Sequence, residues 1–379
     1  MLLGWSLAWA GEETPVRGDK GERAWLAAPL LSYDSNLGLG GGAYGEYVEG
    51  DPTGTLPFQW RVAAQIFLTN GGYNHPYIEA DFPAFLGTKL RWVVGAHYYG
   101  WTQAPYYGVG NDTRVSADAA EDAYWYDQDR WLLQNALRWR FRPSWQLYGI
   151  ADVSAESALP YADTAFERDQ PGGLTGRYVL LSAGILRDTR SDEIDPYDGS
   201  FLELALRGSH PWLGSDWTVG GVYAGASGWR LLGERTVMAG RALFDARTPG
   251  EALFQQSFLG GLNRPAVGGR MILRGLSEQR LRGDMVAGAQ GELRFTFAQW
   301  QIRNTATRWA LSPFMDVAQV WVWDEPLTAD PHLTGGLGLR IVLNGLLVLR
   351  ADTALAMERY EDGSAQPQVQ FYALSDHPF

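Results

Sequence analysis

Apolar and polar side chains alternate along many segments of this chain, and that two-residue period is typical of β-strands with one apolar face. In residues 131–141, bulky apolar residues occupy every second position except Asn135, and arginine or glutamine fills most positions between them. Residues 287–297 repeat the pattern, with Glu292 and Arg294 on the polar face. No later run of about 18 apolar residues is present, so no helix is expected to cross a membrane. The pattern predicts strands of about 10 to 14 residues, whereas a tilted membrane strand needs roughly 9 to 11.

The arginine-bearing faces of these strands cannot contact lipid, because an arginine facing the bilayer centre costs about 2–4 kcal/mol. They are expected to face a lumen, and the sheet must close because backbone groups in hydrocarbon have to be paired. Sixteen strands are expected, with centres near residues 29, 43, 63, 78, 95, 135, 149, 182, 204, 222, 241, 292, 316, 338, 350 and 371. The predicted fold is all-β, a transmembrane antiparallel β-barrel of about 16 strands in the bacterial outer membrane. Its surroundings would be outer-membrane lipid and lipopolysaccharide.

Composition removes several classes of function. The 379 residues include 31 basic and 43 acidic ones, a net charge of −12, which argues against a nucleic-acid partner. The chain has no cysteine, so disulfides, cysteine-ligated metals and a cysteine nucleophile are excluded. The five histidines lack the spacing of a zinc site, and no Gly-x-Ser-x-Gly segment occurs. We therefore expect no catalytic residues, no metal and no cofactor, and we do not expect an enzyme.

The first residues have the character of an export signal. Residues 1–10 are apolar and end in Ala8-Trp9-Ala10, a small-x-small cleavage pattern, so we interpret them as a partial signal peptide. Residues 11–23 are expected to form a flexible periplasmic tail, and residues 24–379 the barrel. Phe379 ends the chain with an aromatic residue, as is typical of the last strand of outer-membrane barrels.

Short motifs follow one another in order along the later part of the chain. They are Tyr106-Tyr107-Gly108-Val109-Gly110-Asn111; Arg187-Asp188-Thr189-Arg190 with Asp195-Pro196-Tyr197-Asp198-Gly199; Leu273-Arg274-Gly275-Leu276, in a glycine-rich loop of about residues 258–284; Arg280-Leu281-Arg282-Gly283-Asp284; Glu292-Leu293-Arg294; and Phe314-Met315-Asp316-Val317-Ala318. In content and order they resemble the motifs of the BamA/TamA superfamily of bacterial surface-antigen barrels. Leu276 stands where that family has an aromatic residue, and Ala318 where it has glycine.

The resemblance implies that the long extracellular loop folds into the lumen. Arg274 and Gly275 would lie at its tip, and Arg274 would meet Asp316 on the inner wall as a loop-to-lumen lock. A guanidinium fork matches a carboxylate in shape and charge. Five further charged residues on inward faces are expected to extend the network: Glu292, Arg294, Arg340, Arg350 and Asp352. The alternative is that Arg274 and Asp316 are ordinary loop and lumen charges.

The resemblance also implies a function, namely translocation or insertion of protein, or of lipid, at the outer membrane. Family members carry periplasmic POTRA domains, and few residues precede the first predicted strand, so the barrel is expected to lack them and to use a periplasmic partner protein. The client would engage a weak seam between the first and last strands, at residues 25–34 and 368–379. A passive pore or structural surface protein is the alternative, and an outer-membrane hydrolase is a third hypothesis. The client polypeptide and any homo-oligomer stay open at this point.

Overall fold

The computed structural model describes residues 23–52, 56, 58–192, 194–303, 305–344 and 347–374. The expected signal peptide, nearly all of the expected tail, and Phe379 lie outside these residues. The strands are β1 (Arg23–Asp34), β2 (Gly38–Glu49), β3 (Trp60–Thr69), β4 (Tyr73–Asn74 and Tyr77–Phe82), β5 (Leu90–Pro105), β6 (Trp125–Arg142), β7 (Trp145–Pro160), β8 (Leu174–Asp188), β9 (Gly199–Ser209), β10 (Val219–Leu232), β11 (Thr236–Arg247), β12 (Met285–Ile302), β13 (Thr305–Trp321), β14 (His332–Leu343), β15 (Leu347–Arg359) and β16 (Ala365–Leu374). Besides a one-turn helix, α1 (Ala165–Asp169), there are 3₁₀ turns at Phe85–Gly87, Glu121–Tyr124, Pro211–Leu213 and Leu253–Gln255.

The sheet closes into a barrel. Every strand pairs antiparallel with the next, and β1 pairs with β16. The prediction of a closed antiparallel barrel of 16 strands is confirmed, and all sixteen expected centres fall inside strands. The longest connections, residues 106–124 and 248–284, leave the barrel at the same end, as extracellular loops do in outer-membrane barrels. No helix among the described residues has both the length and the apolar character needed to cross a bilayer.

Several strands are longer than the expected 10 to 14 residues. β6 and β12 each have 18 residues, and β13 has 17. The extra residues extend beyond the length that a bilayer requires, where both faces of a strand can meet water. Residues 125–130 illustrate this, because polar residues occupy both faces there and the alternation is lost. Hydrogen bonding to neighbouring strands, rather than an apolar face, continues the strand at such ends.

Burial alternates along the strands as the sequence pattern predicts. On β15, Leu349 and Leu355 are exposed on the outer face, while Arg350 and Asp352 are buried on the inner face. On β6, Trp131 and Trp139 are exposed near the two ends of the apolar outer band. The barrel therefore has an apolar outside and a charged inside, which is the inverse of a water-soluble protein.

The loop between β11 and β12, residues 248–284, fills much of the interior, and we call it the plug loop. It begins about ten residues earlier than the sequence indicated. Its buried apolar residues Leu259, Leu262, Val267, Ile272, Leu273, Leu276 and Leu281 pack with wall residues that include Val93, Ile150, Leu186, Leu243 and Val286. Hydrogen bonds reach separate parts of the wall: Leu262 N donates to Glu203 of β9 (2.8 Å), and Glu278 N to Asn36 beside β1 (3.0 Å).

Candidate functional site

The strand period places the charged wall residues on one surface. Glu292 and Arg294 lie on β12, Asp316 on β13, Arg340 on β14, and Arg350 and Asp352 on β15. Glu292 and Arg294 are two residues apart on their strand, as are Arg350 and Asp352, so the members of each pair share the inward face. All six residues are at most 3 % exposed. The register brings them close together. Gln290, two residues before Glu292, pairs with Asp316, and Arg340 pairs with Arg350. We call these six residues the wall cluster.

Arg274, at the tip of the plug loop, faces Asp316 directly. Its Nε donates to Asp316 Oδ2 at 2.9 Å and its Nη2 to Oδ1 at 2.7 Å, which is a two-point fork on the carboxylate. The backbone N of Arg274 adds a third bond to Oδ2 at 3.0 Å. Both side chains are inaccessible to solvent. Such paired, charge-assisted bonds are among the stronger ones in proteins and fix orientation as well as distance.

Two further contacts hold the same guanidinium. Arg274 Nη1 donates to Glu292 Oε2 at 3.1 Å. The Cζ atom lies 3.6 Å from the ring centroid of Phe314, a cation–π contact. Phe314 precedes Asp316 by two residues on β13, so the strand period places the ring and the carboxylate on the same inward face.

The wall cluster is connected within itself. Glu292 accepts from Arg294 Nε at 2.9 Å and from Arg340 Nη2 at 3.1 Å. Arg340 Nη1 donates to Asp352, and Arg350 Nη1 donates to the other oxygen of Asp352 at 3.3 Å. With Arg274 docked, four guanidinium groups meet three carboxylates. The structure thus brings Arg274, Asp316 and all five of the other predicted charged residues together.

Gly275 follows the arginine in a conformation that a side chain would not fit. Its φ is 108°, and a Cβ there would lie 2.9 Å from the backbone carbon of Leu355 on β15. Its N donates to the hydroxyl of Tyr372 on β16 at 3.1 Å. The loop tip therefore lies directly against the backbone of the wall, and glycine allows that approach.

Sequence reasoning missed other anchors of the plug loop. Arg280 Nη2 donates to Glu358 Oε1 of β15 at 2.6 Å. Arg282 Nη2 donates to the carbonyl of Pro105 at the end of β5, at 3.0 Å. Arg264 pairs with Asp152 of β7. Both Arg280 and Arg282 belong to motifs that the sequence displays, but their partners are too distant along the chain for any local signal to reveal them.

The site offers no evident metal chemistry. Within the part of the chain that the structure describes, no group of three or more histidine, aspartate or glutamate side chains is arranged to hold a metal ion. The wall carboxylates bond to guanidinium groups instead. What the arrangement can do is hold a loop inside the barrel at a defined position.

An apolar outer band, a charged lumen and an anchored inner loop together define an outer-membrane β-barrel. The model of the Omp85 superfamily domain matches residues 68–373, and the chain belongs to that superfamily. This confirms the family indicated by the sequence motifs and the location in the bacterial outer membrane. No curated protein matches the sequence.

Solved barrels share the fold. The structure of BamA from Haemophilus ducreyi lacking POTRA domains 1–3 is similar with a TM-score of 0.61 and 15 % identity, over 94 % of this chain and 70 % of that one. CdiB from Escherichia coli is similar with a TM-score of 0.57 and 11 % identity, over 92 % and 62 %. CdiB from Acinetobacter baumannii is similar with a TM-score of 0.52 and 15 % identity, over 93 % and 59 %. The chain thus spans less than two thirds of either CdiB chain.

Proposed function

We propose that this barrel transfers a client polypeptide into or across the outer membrane, together with a periplasmic partner protein. The client strand would engage the barrel at the seam between β1 and β16. The observation that carries the proposal is that the sheet closes between its first and last strands, so closure depends on a junction between two strands that are not consecutive in the chain. Family membership supports it, because the motif resemblance implied a translocation or insertion role.

Among the described residues, β1 and β16 are in register at two positions, Tyr33 with Ala373 and Asp34 with Tyr372. Ser35 adds two bonds, its N donating to Phe371 O at 3.0 Å and its Oγ accepting from Phe371 N at 2.8 Å. On its other edge β1 pairs with β2 at twelve positions. Strand edges are templates for an added strand, so opening this junction would offer two edges with which a client strand could pair.

The occupied interior argues against the passive pore. Besides the plug loop, the loop of residues 106–124 crosses the extracellular mouth. Its Val115 N donates to Arg359 O at 3.0 Å, and Glu361 N donates to Val115 O at 3.0 Å. Gly110 N donates to Arg282 O of the plug loop at 2.8 Å. A pore whose mouth and lumen are both filled conducts poorly, whereas a lateral seam needs no open lumen.

Cysteine pairs test the seam, because the chain has no cysteine of its own. Tyr33→Cys with Ala373→Cys locks β1 to β16. The matched control, Tyr33→Cys with Leu39→Cys, shares one position and locks β1 to β2 instead. Directly opposed strand residues have Cα atoms about 4.5–5.5 Å apart, within the range for a disulfide.

The experiment first identifies the outer-membrane and surface proteins that are lost from a strain in which this protein is deleted. The readout is whether each cysteine variant restores those proteins. We expect the control pair to restore them in oxidising and reducing conditions alike, and the seam pair to restore them only when reduced. A seam pair that is fully active while oxidised contradicts lateral engagement. A deletion that alters lipid distribution and no protein contradicts a polypeptide client.

A further inference from the structure

The outer surface of β2–β8 carries a groove within the apolar band. Its volume is about 950 Å³, and small outward-facing residues form its floor: Ala43, Gly45, Ala64, Ala96 and Ala155. Larger exposed side chains project between these positions, namely those of Ile66, Ile78, Trp131 and Leu133. Because the floor has almost no side-chain bulk, a slender apolar chain can lie in the groove close to the sheet backbone and contact the larger residues on either side.

Arg177 lies at one end of this groove. Four outward-facing residues pair in turn across β5, β6, β7 and β8: Tyr98, Trp131, Ala155 and Arg177. Arg177 is exposed, three residues from the extracellular end of β8 and eleven from its periplasmic end. Aromatic side chains on the outside of a barrel gather at the membrane interfaces. The row that contains Trp131 therefore places Arg177 at the extracellular interface, where lipid headgroups lie.

The groove descends into the bilayer as it leaves Arg177. The same row of paired residues continues across β4 and β3 to Ala43 on β2. Ala43 is six residues from the periplasmic end of β2, whereas Arg177 is eleven residues from that end of β8. The difference corresponds to roughly 16 Å along a strand. A molecule with its head at Arg177 and its chain in the groove would thus have the orientation of a lipid in the outer leaflet.

The guanidinium of Arg177 forms no ion pair with the residues that the structure describes. The other arginines in the extracellular halves of the strands do pair with carboxylates, namely Arg130, Arg207, Arg247 and Arg359. Asp216 accepts the backbone N of Arg177 at 2.6 Å. Asp129 is two strands away and two residues higher, roughly 12 Å from Arg177, a separation at which exposed charges are largely screened. The charge of Arg177 is therefore available to an anionic group.

We propose that this groove binds a lipopolysaccharide molecule of the outer leaflet, with a lipid A phosphate on Arg177 and an acyl chain along the floor. A guanidinium fork matches phosphate oxygens in shape and charge. The aliphatic stem of Arg177 can lie along the apolar surface while its head reaches the headgroup layer. An acyl chain has apolar surroundings in the groove and in the leaflet alike, so the phosphate contact supplies most of the preference for this site.

Binding of purified lipopolysaccharide to the full chain, folded in mild detergent, tests the phosphate contact. Arg177→Ala is compared with Arg230→Ala, because Arg230 is exposed on the outer face of β10 near its periplasmic end. We expect Arg177→Ala to bind about five- to tenfold more weakly than the unmodified protein, the effect of one basic residue at a lipid headgroup, and Arg230→Ala to bind as tightly. Equal weakening in both variants overturns the proposal, since it indicates attraction without a defined site.

Two other lipids test the choice of occupant. Lipid A without its phosphates should bind the unmodified protein about as weakly as intact lipopolysaccharide binds Arg177→Ala. Undiminished binding of the dephosphorylated form overturns the phosphate contact. Phosphatidylglycerol carries a phosphate on a different backbone, and if it binds as tightly as lipopolysaccharide, the assignment of the groove to lipopolysaccharide is wrong.

Tryptophan variants test whether the acyl chain lies in the groove. Ala96→Trp fills the floor, whereas Ala351→Trp adds the same bulk on the outer face of β15, outside the groove. We expect Ala96→Trp to weaken lipopolysaccharide binding several-fold and Ala351→Trp to leave it unchanged. Both variants should keep the heat-dependent gel mobility of a folded barrel. Undiminished binding by folded Ala96→Trp refutes the placement of the acyl chain.

Discussion

Replacing Arg274 by alanine should release the tip of the plug loop from the barrel wall. The change removes the fork on Asp316, the bond to Glu292 at 3.1 Å and the contact with the Phe314 ring. Arg274 supplies every hydrogen bond that the structure describes for the Asp316 side chain. Alanine therefore leaves a buried carboxylate without its partner, while the rest of the wall cluster keeps its internal bonds.

The magnitude follows from burial. Breaking a fully buried ion pair by removing one partner costs about 3–5 kcal/mol. At about 1.4 kcal/mol per tenfold, the docked loop would lose roughly a hundred- to a few-thousand-fold in population. Water that enters the lumen would solvate Asp316 and bring the cost toward the lower figure. Arg274→Lys keeps the charge but loses the planar fork, so its effect should be intermediate.

Conductance in planar bilayers measures the release, because a mobile loop tip opens a path that the docked tip fills. We expect Arg274→Ala to raise conductance and to lower the temperature at which the folded barrel loses its compact gel mobility. Arg23→Ala is the control, because that arginine forms a solvent-exposed pair with Glu49 at 3.2 Å, away from both loops, and exposed pairs contribute little to stability. If both variants behave alike, the lock contributes nothing to closure.

Two further outcomes are expected from loop residues. Gly275→Ala should destabilise the barrel by about 1–3 kcal/mol in heat-mobility assays, because the position combines a positive φ with a clash at the Leu355 backbone. Gly363 is the control, because it has a positive φ of 84° but open space around it. If Gly363→Ala destabilises the barrel equally, the clash at Gly275 is irrelevant. Hydrogen bonds from Arg359 hold the pKa of Asp330 below its usual value. A lowered pKa in the folded state means that this tie is complete above about pH 4 and is lost as the pH falls through the lowered pKa. Protection of residues 322–331 against hydrogen exchange, relative to the intrinsic rate at each pH, should therefore fall only in stronger acid, and a fall already at mild acidity, near pH 5–6, would contradict the assignment.

The alternation of side chains was sufficient to locate the centre of every strand and, where the pattern was clear, as in residues 287–297, to assign the inner and outer faces. A period of two is a local property, because successive side chains on a strand point to opposite sides whatever lies beyond them. Glu292, Arg340 and Asp352 could be placed on the inner wall in this way before their neighbours were known. Asn135 likewise stood out as an exception on an apolar face.

Contacts between distant parts of the chain needed the closed barrel. Arg280 and Glu358 are 78 residues apart, and no periodicity links a loop residue to a particular strand. The meeting of Arg274 with Asp316 was indicated by motif resemblance, but the ring of Phe314 and the hydroxyl of Tyr372 beside that pair were not. The pairing of β1 with β16 and the packing of the plug loop against the wall likewise depend on register and strand order. Those properties arise from sheet closure, which brings together residues whose separation along the chain carries no information about their distance in space.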